Sequence, residues 1–201
     1  MSAAAIDFWF DFSSPYGYFM SERIDALAAR HGRRVRWRPY LLGAVYKLLG
    51  SQPLPAIPLK GPYSVRDFAR SARFLGIECR LPENFPVATQ HAARAFYCLD
   101  DAEGALAHRF AQAVLRAYFV AGHDISQVEV VLDVAAEAGA DRVALAAAIG
   151  SDAAKERLRQ VCATAIEAGV FGSPYVIVDG EPFWGVDRLP QIERWLETGG
   201  F

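Results

Sequence analysis

Cysteine is scarce in this sequence, and the few that occur are not arranged for chemistry. The three cysteines, Cys79, Cys98 and Cys162, are widely spaced, with no C-x-x-C motif and no pair of histidines at metal-binding spacing. A disulfide framework and a zinc site are therefore not expected, and no metal ligands are predicted. Each cysteine is expected to pack as a small apolar residue in or near the core.

Long apolar runs and an excess of charge are also missing. No run approaches the roughly 18 residues that a membrane-spanning helix requires. The net charge is only -2, which predicts neither a nucleic acid nor a membrane as a partner. The first residues, MSAAAIDFWFDF, lack the basic start of a signal peptide, so we expect a short tail that enters a strand, and a cytoplasmic location. The arginines of residues 30–38 are interpreted as a solvated face.

What the sequence does contain is the hydrophobic content of a folded domain. It has 201 residues, of which 53% are hydrophobic, and this suits one domain with a sizeable insertion. Residues 5–12 and residues 33–40 alternate in polarity and predict strands. Between them, a helix is predicted to start after Ser13 or Ser14 and to end at Gly32. Two strands joined in this way should be parallel.

The middle of the chain differs from both ends. Residues 41–63 contain four prolines and three glycines, which exclude a long helix after about residue 49 and predict an ordered loop over a site. Beyond them, apolar residues at three- and four-residue spacing predict a series of helices. Their predicted ranges are 64–76, 88–101, 104–121, 126–138 and 141–149.

The end of the chain returns to a mixed pattern. Residues 152–168 predict an amphipathic helix. A strand from Tyr175 to Val178, a turn at Asp179-Gly180 and a short edge strand ending at Trp184 predict a hairpin. A last helix is predicted over residues 187–197, with Asp187 as its cap and Gly199 as its stop.

The predicted element order is β-α-β, then helices, then α-β-β-α. If the two ends share one sheet, the chain has an α/β, thioredoxin-like layout. The thioredoxin-like domain would comprise about residues 5–45 and 152–201. The helical insertion, about residues 64–150, would pack beside the sheet as a lid.

Two motifs carry a family resemblance that covers nearly the whole chain in element order. DFSSPYGY near the start and GVFGSPYVIVDGEPFWGVDRL near the end resemble the 2-hydroxychromene-2-carboxylate isomerase family. That family is close to the kappa-class glutathione transferases and to DsbA-type oxidoreductases. The resemblance implies a thioredoxin fold with a large all-helical insertion, glutathione as cofactor and a homodimer.

Ser14 is the residue that this resemblance singles out as catalytic. The family pattern D-F-x-S-P places a serine against the glutathione sulfur, and here the pattern falls on Ser14. A hydroxyl at a helix N-terminus would favour thiolate over thiol and so lower the thiol pKa. The alternative role is a simple helix cap. Ser14-Pro15-Tyr16-Gly17 holds no sulfur, so dithiol exchange of the DsbA type is not expected at this position.

The second motif implies the rest of the glutathione site. Ser173-Pro174 resembles the cis-proline turn of thioredoxin-fold proteins, which would present the Ser173 backbone to the cysteinyl part of the tripeptide. A plain turn before a strand is the alternative. Trp184, Gly185, Val186 and Asp187 resemble the stretch that binds the γ-glutamyl end, with the Asp187 carboxylate facing its amine; a helix cap is the other role open to Asp187.

Substrate contacts are expected in the middle of the chain. The resemblance implies that Lys47 binds a substrate carboxylate, although the alignment around Tyr46 and Lys47 can shift by one residue. Asn84 and Phe85 resemble a substrate-pocket segment, in which Phe85 supplies only apolar contact. A solvated lysine and a core phenylalanine are the alternatives.

The resemblance thus implies a glutathione-dependent isomerase acting on a small aromatic carboxylate, 2-hydroxychromene-2-carboxylate, to give trans-o-hydroxybenzylidenepyruvate. Two other functions stay open. One is a kappa-like glutathione transferase or peroxidase, and the other is a thioredoxin-fold binding protein without enzymatic activity.

Overall fold

A mixed four-stranded sheet forms the centre of the computed structural model, which describes residues 5–201; the tail predicted at residues 1–4 lies outside the described residues. The strands are β1 (Ile6–Phe10), β2 (Val35–Pro39), β3 (Tyr175–Val178) and β4 (Glu181–Trp184). Their order in the sheet is β2-β1-β3-β4. β1 and β2 are parallel, while β3 is antiparallel to both β1 and β4. The two ends of the chain therefore share one sheet, and the predicted parallel pair and edge hairpin are confirmed.

The central strand β1 is rich in aromatic residues because both of its faces are covered. Phe8 and Phe10 stack on one face with ring centroids 4.8 Å apart, and Trp37 of β2 meets them edge-on at 5.2 and 5.4 Å. On the other face, Trp9 meets Tyr40 at 6.2 Å. Large aromatic side chains of the sheet therefore make up much of the buried core.

Asp7 is the charged exception in β1, and two arginines of β2 compensate it. Its carboxylate accepts hydrogen bonds from Arg36 Nε at 2.6 Å and Arg38 Nε at 2.7 Å. Burial alone would raise the pKa of Asp7, but these two guanidinium groups outweigh it and lower that pKa. Arg33 pairs likewise with Asp179 at 2.7 Å. The arginine-rich segment is therefore a set of ion pairs across the sheet edge rather than only a solvated face.

The helix predicted between β1 and β2 is divided into two. It forms α1 (Pro15–Ser21) and α2 (Ile24–Arg30). Ser21 Oγ donates to the Tyr18 carbonyl at 2.7 Å, and such back-bonding competes with the regular helix. At the break, the Arg23 guanidinium donates to the carbonyls of Glu22 and Leu75. The break therefore coincides with a hydrogen bond between residues far apart in sequence, Arg23 and Leu75, and the local spacing of apolar residues cannot predict such a bond.

Most helical segments of the middle and end of the chain lie close to their predicted ranges, but the loop predicted over residues 41–63 contains a helix, Leu42–Leu49, and a 3-10 turn, Leu54–Ala56. The helices are α3 (Leu42–Leu49), α4 (Lys60–Leu75), α5 (Gln90–Ala102), α6 (Gly104–Arg116), α7 (Val128–Glu137), α8 (Arg142–Gly150), α9 (Asp152–Glu167) and α10 (Leu189–Thr198). α4 begins at Lys60 rather than at residue 64, because Pro62 is tolerated in a first turn. The segment predicted over 104–121 ends in a π-helical turn, Ala117–Ala121.

These helices share the core of the sheet. Phe12, just after β1, meets Phe110 of α6 at 6.5 Å. The Tyr97 hydroxyl of α5 donates to the carbonyl of Pro39 at the end of β2, at 2.8 Å. Across residues 5–201, the longest apolar stretch of helix falls short of what a membrane crossing needs.

The last helix starts differently from the prediction. A 3-10 turn, Val186–Arg188, precedes α10, and the residue at the cap position of α10 is Arg188. The Asp187 carboxylate makes no cap; it pairs with the Arg188 guanidinium at 3.2 Å. The predicted cap at Asp187 is therefore wrong, whereas the predicted stop at Gly199, with φ of 73°, is confirmed.

The Asp7 ion pairs predict an acid-sensitive contribution to stability. Because the folded-state pKa of Asp7 is lowered, the contribution is present above the unfolded value and is lost as pH falls through the folded value. Asp7→Asn should lower the free energy of unfolding by about 1 kcal/mol at pH 7, and the difference should shrink at strongly acidic pH. Urea denaturation at both pH values measures this. The exposed Glu181→Gln is the control; an equal loss in both variants would contradict the assignment.

Candidate functional site

Ser14 lies at the start of α1, where the prediction of a helix cap is confirmed. Its backbone is extended (φ -98°, ψ 113°), Pro15 follows at the first helical position, and its Oγ accepts the Gly17 N–H at 3.1 Å. The Ser14 N–H donates to the Asp11 carbonyl at 2.9 Å. The side chain is only 7% exposed, so its hydroxyl is fixed in a defined direction.

That direction is toward the turn at the other end of the chain. Ser14 Oγ donates to the Ser173 carbonyl at 3.0 Å, and the Ser173-Pro174 peptide bond is cis, as the resemblance implies. Ser173 Oγ accepts the Asp11 N–H at 3.0 Å. The two sequence motifs therefore meet at a pair of hydrogen bonds between β1, α1 and the turn before β3.

Gly17 is a residue of this junction that sequence analysis missed. A Cβ at position 17 would lie 3.0 Å from Ser173 Oγ and 3.1 Å from Ser14 Cβ. These distances are shorter than ordinary van der Waals contacts, so a side chain here would push the two serines apart. The missing side chain at Gly17 therefore lets the first turn of α1 approach Ser173 without displacing either serine.

The stretch that follows β4 and begins at Gly185 contacts the same turn. The Gly185 N–H donates to the Pro174 carbonyl at 3.1 Å. The Trp184 ring lies over Gly172, where a Cβ would clash with its Nε1 at 2.2 Å, and meets Phe171 at 4.9 Å. Trp184 and Asp187 are exposed while Val186 is buried. Trp184 and Gly185 therefore contact the turn around Ser173-Pro174, whereas the exposed Asp187 carboxylate pairs with Arg188.

Asp11 is the buried charge behind the site. Its carboxylate accepts hydrogen bonds from Ser13 N at 2.8 Å, Leu42 N at 2.8 Å and Thr89 Oγ1 at 2.9 Å. Burial raises the pKa of Asp11, and these three donors oppose that rise. Tyr40 adds a further link, since its hydroxyl donates to the Gly172 carbonyl at 2.7 Å. Neither residue carried a functional signal in the sequence beyond the D-F-x-S-P pattern.

The three candidate substrate residues differ in burial: Lys47 and Asn84 are exposed, and Phe85 is half-buried. Lys47 is exposed on the outer side of α3, while its neighbour Tyr46 is half-buried. Burial, together with the Asp11 carboxylate, raises the pKa of Tyr46 to about 12. Asn84 is exposed and hydrogen-bonds Asp124, which helps to lower the pKa of that aspartate. Phe85 alone of the three predicted residues packs toward the site.

Phe85 belongs to an aromatic cluster that reaches α1. It meets Phe68 of α4 edge-on at 5.8 Å, and Phe68 meets Tyr16 at 5.0 Å. The Tyr16 hydroxyl donates to the Asp67 carboxylate. This wall begins two residues after Ser14, and the sequence alone indicated only its Phe85 end.

No protein thiol is placed for catalysis beside Ser14 in the described part of the chain. All three cysteines are free. Burial raises the pKa of Cys79 to about 11 and also raises the pKa of Cys98 and Cys162. Cys162 Sγ accepts the Leu41 N–H at 3.4 Å and is a packed residue. A thiolate at this site would have to come from a ligand.

One cluster of potential metal ligands lies away from the site. His31, Glu193 and Glu197 bring their ligand atoms within 4.8 Å of one another. Glu193 is already paired with the Arg30 guanidinium at 2.6 Å. The cluster therefore has a protein cation as partner and no contact with the Ser14 junction.

Comparison with known proteins gives one consistent family. The family model of the DSBA-like thioredoxin domain matches residues 5–197. A 2-hydroxychromene-2-carboxylate isomerase of Pseudomonas sp. (strain C18) is 30% identical, over 94% of this chain and 88% of that protein. Glutathione S-transferase kappa 2 of Caenorhabditis elegans is 28% identical, over 95% of this chain and 91% of that protein.

A solved structure agrees with these relatives. The structure of a 2-hydroxychromene-2-carboxylate isomerase superposes with a TM-score of 0.87 at 28% identity, covering 96% of this chain and 95% of that one. The shared features span both terminal motifs and the helical middle. The chain belongs to the DSBA-like thioredoxin domain family and, within it, to the 2-hydroxychromene-2-carboxylate isomerase family.

Proposed function

We propose that this chain binds glutathione and uses its thiolate to interconvert 2-hydroxychromene-2-carboxylate and trans-o-hydroxybenzylidenepyruvate, a step in the degradation of naphthalene-type aromatics. The observation that carries the proposal is the junction of the two sequence motifs, in which Ser14 Oγ donates to the Ser173 carbonyl at 3.0 Å and the Gly185 N–H donates to the Pro174 carbonyl at 3.1 Å. The junction holds no sulfur of its own. Relatives named as isomerases and as kappa transferases support the same reading.

We propose that an extended tripeptide binds along the turn at Ser173 and the segment from Trp184 to Asp187. The cysteinyl part would pair with the Ser173 backbone as an added strand, next to Pro174. The γ-glutamyl end would lie along Gly185 and Val186, with its cationic amine facing the exposed Asp187 carboxylate. The Trp184 ring, 55% exposed, would cover the apolar side of the bound chain.

Glutathione binding would replace the hydrogen bond between Ser14 and Ser173 with two new ones, one from the ligand to the Ser173 carbonyl and one from Ser14 to the ligand sulfur. Ser14 Oγ now donates its only proton to the Ser173 carbonyl. When the cysteinyl N–H of glutathione reaches that carbonyl, the Ser14 hydroxyl can turn to the sulfur. The Gly17 N–H still donates to Ser14 Oγ, which polarises the hydroxyl and makes it a better donor. The thiolate gains a charge-assisted hydrogen bond, and its pKa falls.

The chemistry follows from a thiolate held next to an electrophile. The sulfur adds to the benzylic carbon of the ring-opened substrate, and the carbon–carbon π electrons move to the ketone oxygen. The former double bond is now single and can rotate. When the electrons return, the carbon–sulfur bond breaks and glutathione leaves unchanged, with the opposite alkene geometry in the product. The protein contributes thiolate stabilisation and positioning.

We propose that the helical segment over about residues 64–150 acts as a lid that selects the aromatic substrate. Tyr16, Phe68 and Phe85 form an apolar wall beside Ser14, against which an aromatic ring can pack. The predicted roles of Lys47 and Asn84 stay predictions. An exposed lysine and an amide bonded to Asp124 would have to turn inward to contact the same ligand.

A second activity is favoured by the kappa-class relative. A thiolate at Ser14 could equally attack an aromatic halide or reduce a peroxide. Parallel assays with 1-chloro-2,4-dinitrobenzene, an organic peroxide and the chromene substrate separate these reactions. If calorimetry detected no glutathione binding, the chain would instead be a binding protein without this chemistry.

Replacing Ser14 tests the activation step. In Ser14→Ala, the pKa of the bound glutathione thiol should rise by about 1 to 2, because a hydrogen bond to a charged group contributes about 1.5–3 kcal/mol. The ultraviolet absorbance of the thiolate across a pH series measures that pKa. Ser151→Ala is the matched control, since Ser151 also caps a helix, accepting the Ala154 N–H at 3.1 Å. An unchanged thiol pKa and full turnover in Ser14→Ala would remove Ser14 from the mechanism.

Replacing Asp187 tests the orientation of the tripeptide. Asp187→Asn should weaken glutathione binding by up to about fivefold, as expected for an exposed ion pair of up to about 1 kcal/mol, and high salt should diminish the difference. Calorimetry with glutathione and with an analogue lacking the γ-glutamyl amine provides the measurement. Only glutathione should distinguish the variant from the wild type. Asp133→Asn, in α7, is the control; equal losses for both ligands would place the amine elsewhere.

A further inference from the structure

Tyr46 is half-buried on α3, the helix whose start is bonded to Asp11. The Asp11 carboxylate accepts the N–H of Leu42, the first residue of α3, at 2.8 Å. Residues four apart lie on the same face of a helix, so Tyr46 lies one helical turn after Leu42. Lys47 is the next residue, about 100° further around the helix, and is exposed. Of the two neighbours, Tyr46 is therefore the more buried and Lys47 the more exposed.

Electrostatic contacts agree with this placement. The Asp11 carboxylate contributes, after burial, to raising the pKa of Tyr46 to about 12. Tyr46 in turn contributes to the raised pKa of Tyr40, whose hydroxyl donates to the Gly172 carbonyl beside Ser173. The Tyr46 phenol thus lies near both residues that hold the Ser14 and Ser173 junction, and it is protonated at neutral pH.

The Tyr46 hydroxyl is available to a ligand. Within residues 5–201, no hydrogen bond to a protein group engages it, and it is not among the side-chain polar atoms that are sealed in the interior without a partner. Those atoms are Trp9 Nε1, His31 Nε2, Arg94 Nε and Tyr118 Oη. The half-buried Tyr46 phenol, on the helix anchored to Asp11, is thus a hydrogen-bond donor without a protein acceptor.

We propose that Tyr46 donates a hydrogen bond to the substrate oxygen that becomes negative when the glutathione thiolate adds to the conjugated carbon. This inference rests on the proposed function. As the carbon–sulfur bond forms, the π electrons reach the ketone oxygen, and the phenol, which keeps its proton, stabilises that charge. When the electrons return and the thiolate leaves, the hydrogen bond relaxes. The ligand group proposed for Tyr46 is the ketone oxygen of the conjugated carbonyl, where the negative charge develops.

A pair of ligands tests this without turnover. S-phenacylglutathione carries a ketone one methylene away from the sulfur, and S-phenethylglutathione has the same ring without that oxygen. The wild-type protein should bind the ketone ligand about tenfold more tightly, which corresponds to about 1.4 kcal/mol. Tyr46→Phe should lose this preference while binding the second ligand normally, as measured by calorimetry. Tyr63→Phe, which removes an exposed phenol, should keep the preference.

Turnover gives the second measurement. Tyr46→Phe should lower kcat with the chromene substrate about 100-fold, as expected for the loss of a donor to a developing oxyanion, with the KM for glutathione and the pKa of its thiol unchanged. Preserved preference and rate in Tyr46→Phe, or their loss in Lys47→Ala instead, would overturn the role of Tyr46. If the wild-type protein bound neither glutathione ligand, the proposed function itself would fail, and the role of Tyr46 with it.

Discussion

The buried carboxylate of Asp11 is the constraint on which the rest of the site depends. A carboxylate without hydrogen-bond donors is costly to bury, and here the donors are Ser13 N, Leu42 N and Thr89 Oγ1. These groups belong to the loop before α1, the start of α3 and the start of α5. The Asp11 N–H also donates to Ser173 Oγ. One residue at the end of β1 therefore fixes the position of the serine hydroxyl, the cis-proline turn and the helices that overlook them.

Local patterns in the sequence were sufficient for most of the architecture. Alternating polarity gave the strands, three- and four-residue spacing gave the helices, and Asp179-Gly180 marked the hairpin, because each of these signals is contained in a few neighbouring residues. The Ser14 cap was predictable for the same reason. That Ser14 and Ser173 meet was predictable only from the family resemblance, since periodicity does not say which strands share a sheet. The homodimer stays a prediction.

The remaining features depend on contacts between distant residues. The break between α1 and α2 involves Arg23 reaching the Leu75 carbonyl, and no local signal indicates it. That Tyr46 is half-buried while Lys47 is exposed depends on how α3 packs on the rest of the molecule, and no local signal in the sequence distinguishes the two. In the sequence, Gly17 is indistinguishable from an ordinary helical residue, and only the structure shows that it packs against Ser173. The site therefore differs from its sequence description mainly where tertiary contacts choose among neighbouring side chains.

The central claim is that the activated sulfur belongs to a bound glutathione held between Ser14 and Ser173. A crystal structure of the protein with glutathione tests it most directly. The account predicts the sulfur within hydrogen-bond distance of Ser14 Oγ, the cysteinyl N–H donating to the Ser173 carbonyl and the γ-glutamyl amine near Asp187. Glutathione bound elsewhere, or a sulfur directed away from Ser14 with the hydrogen bond between Ser14 and Ser173 intact, would contradict it.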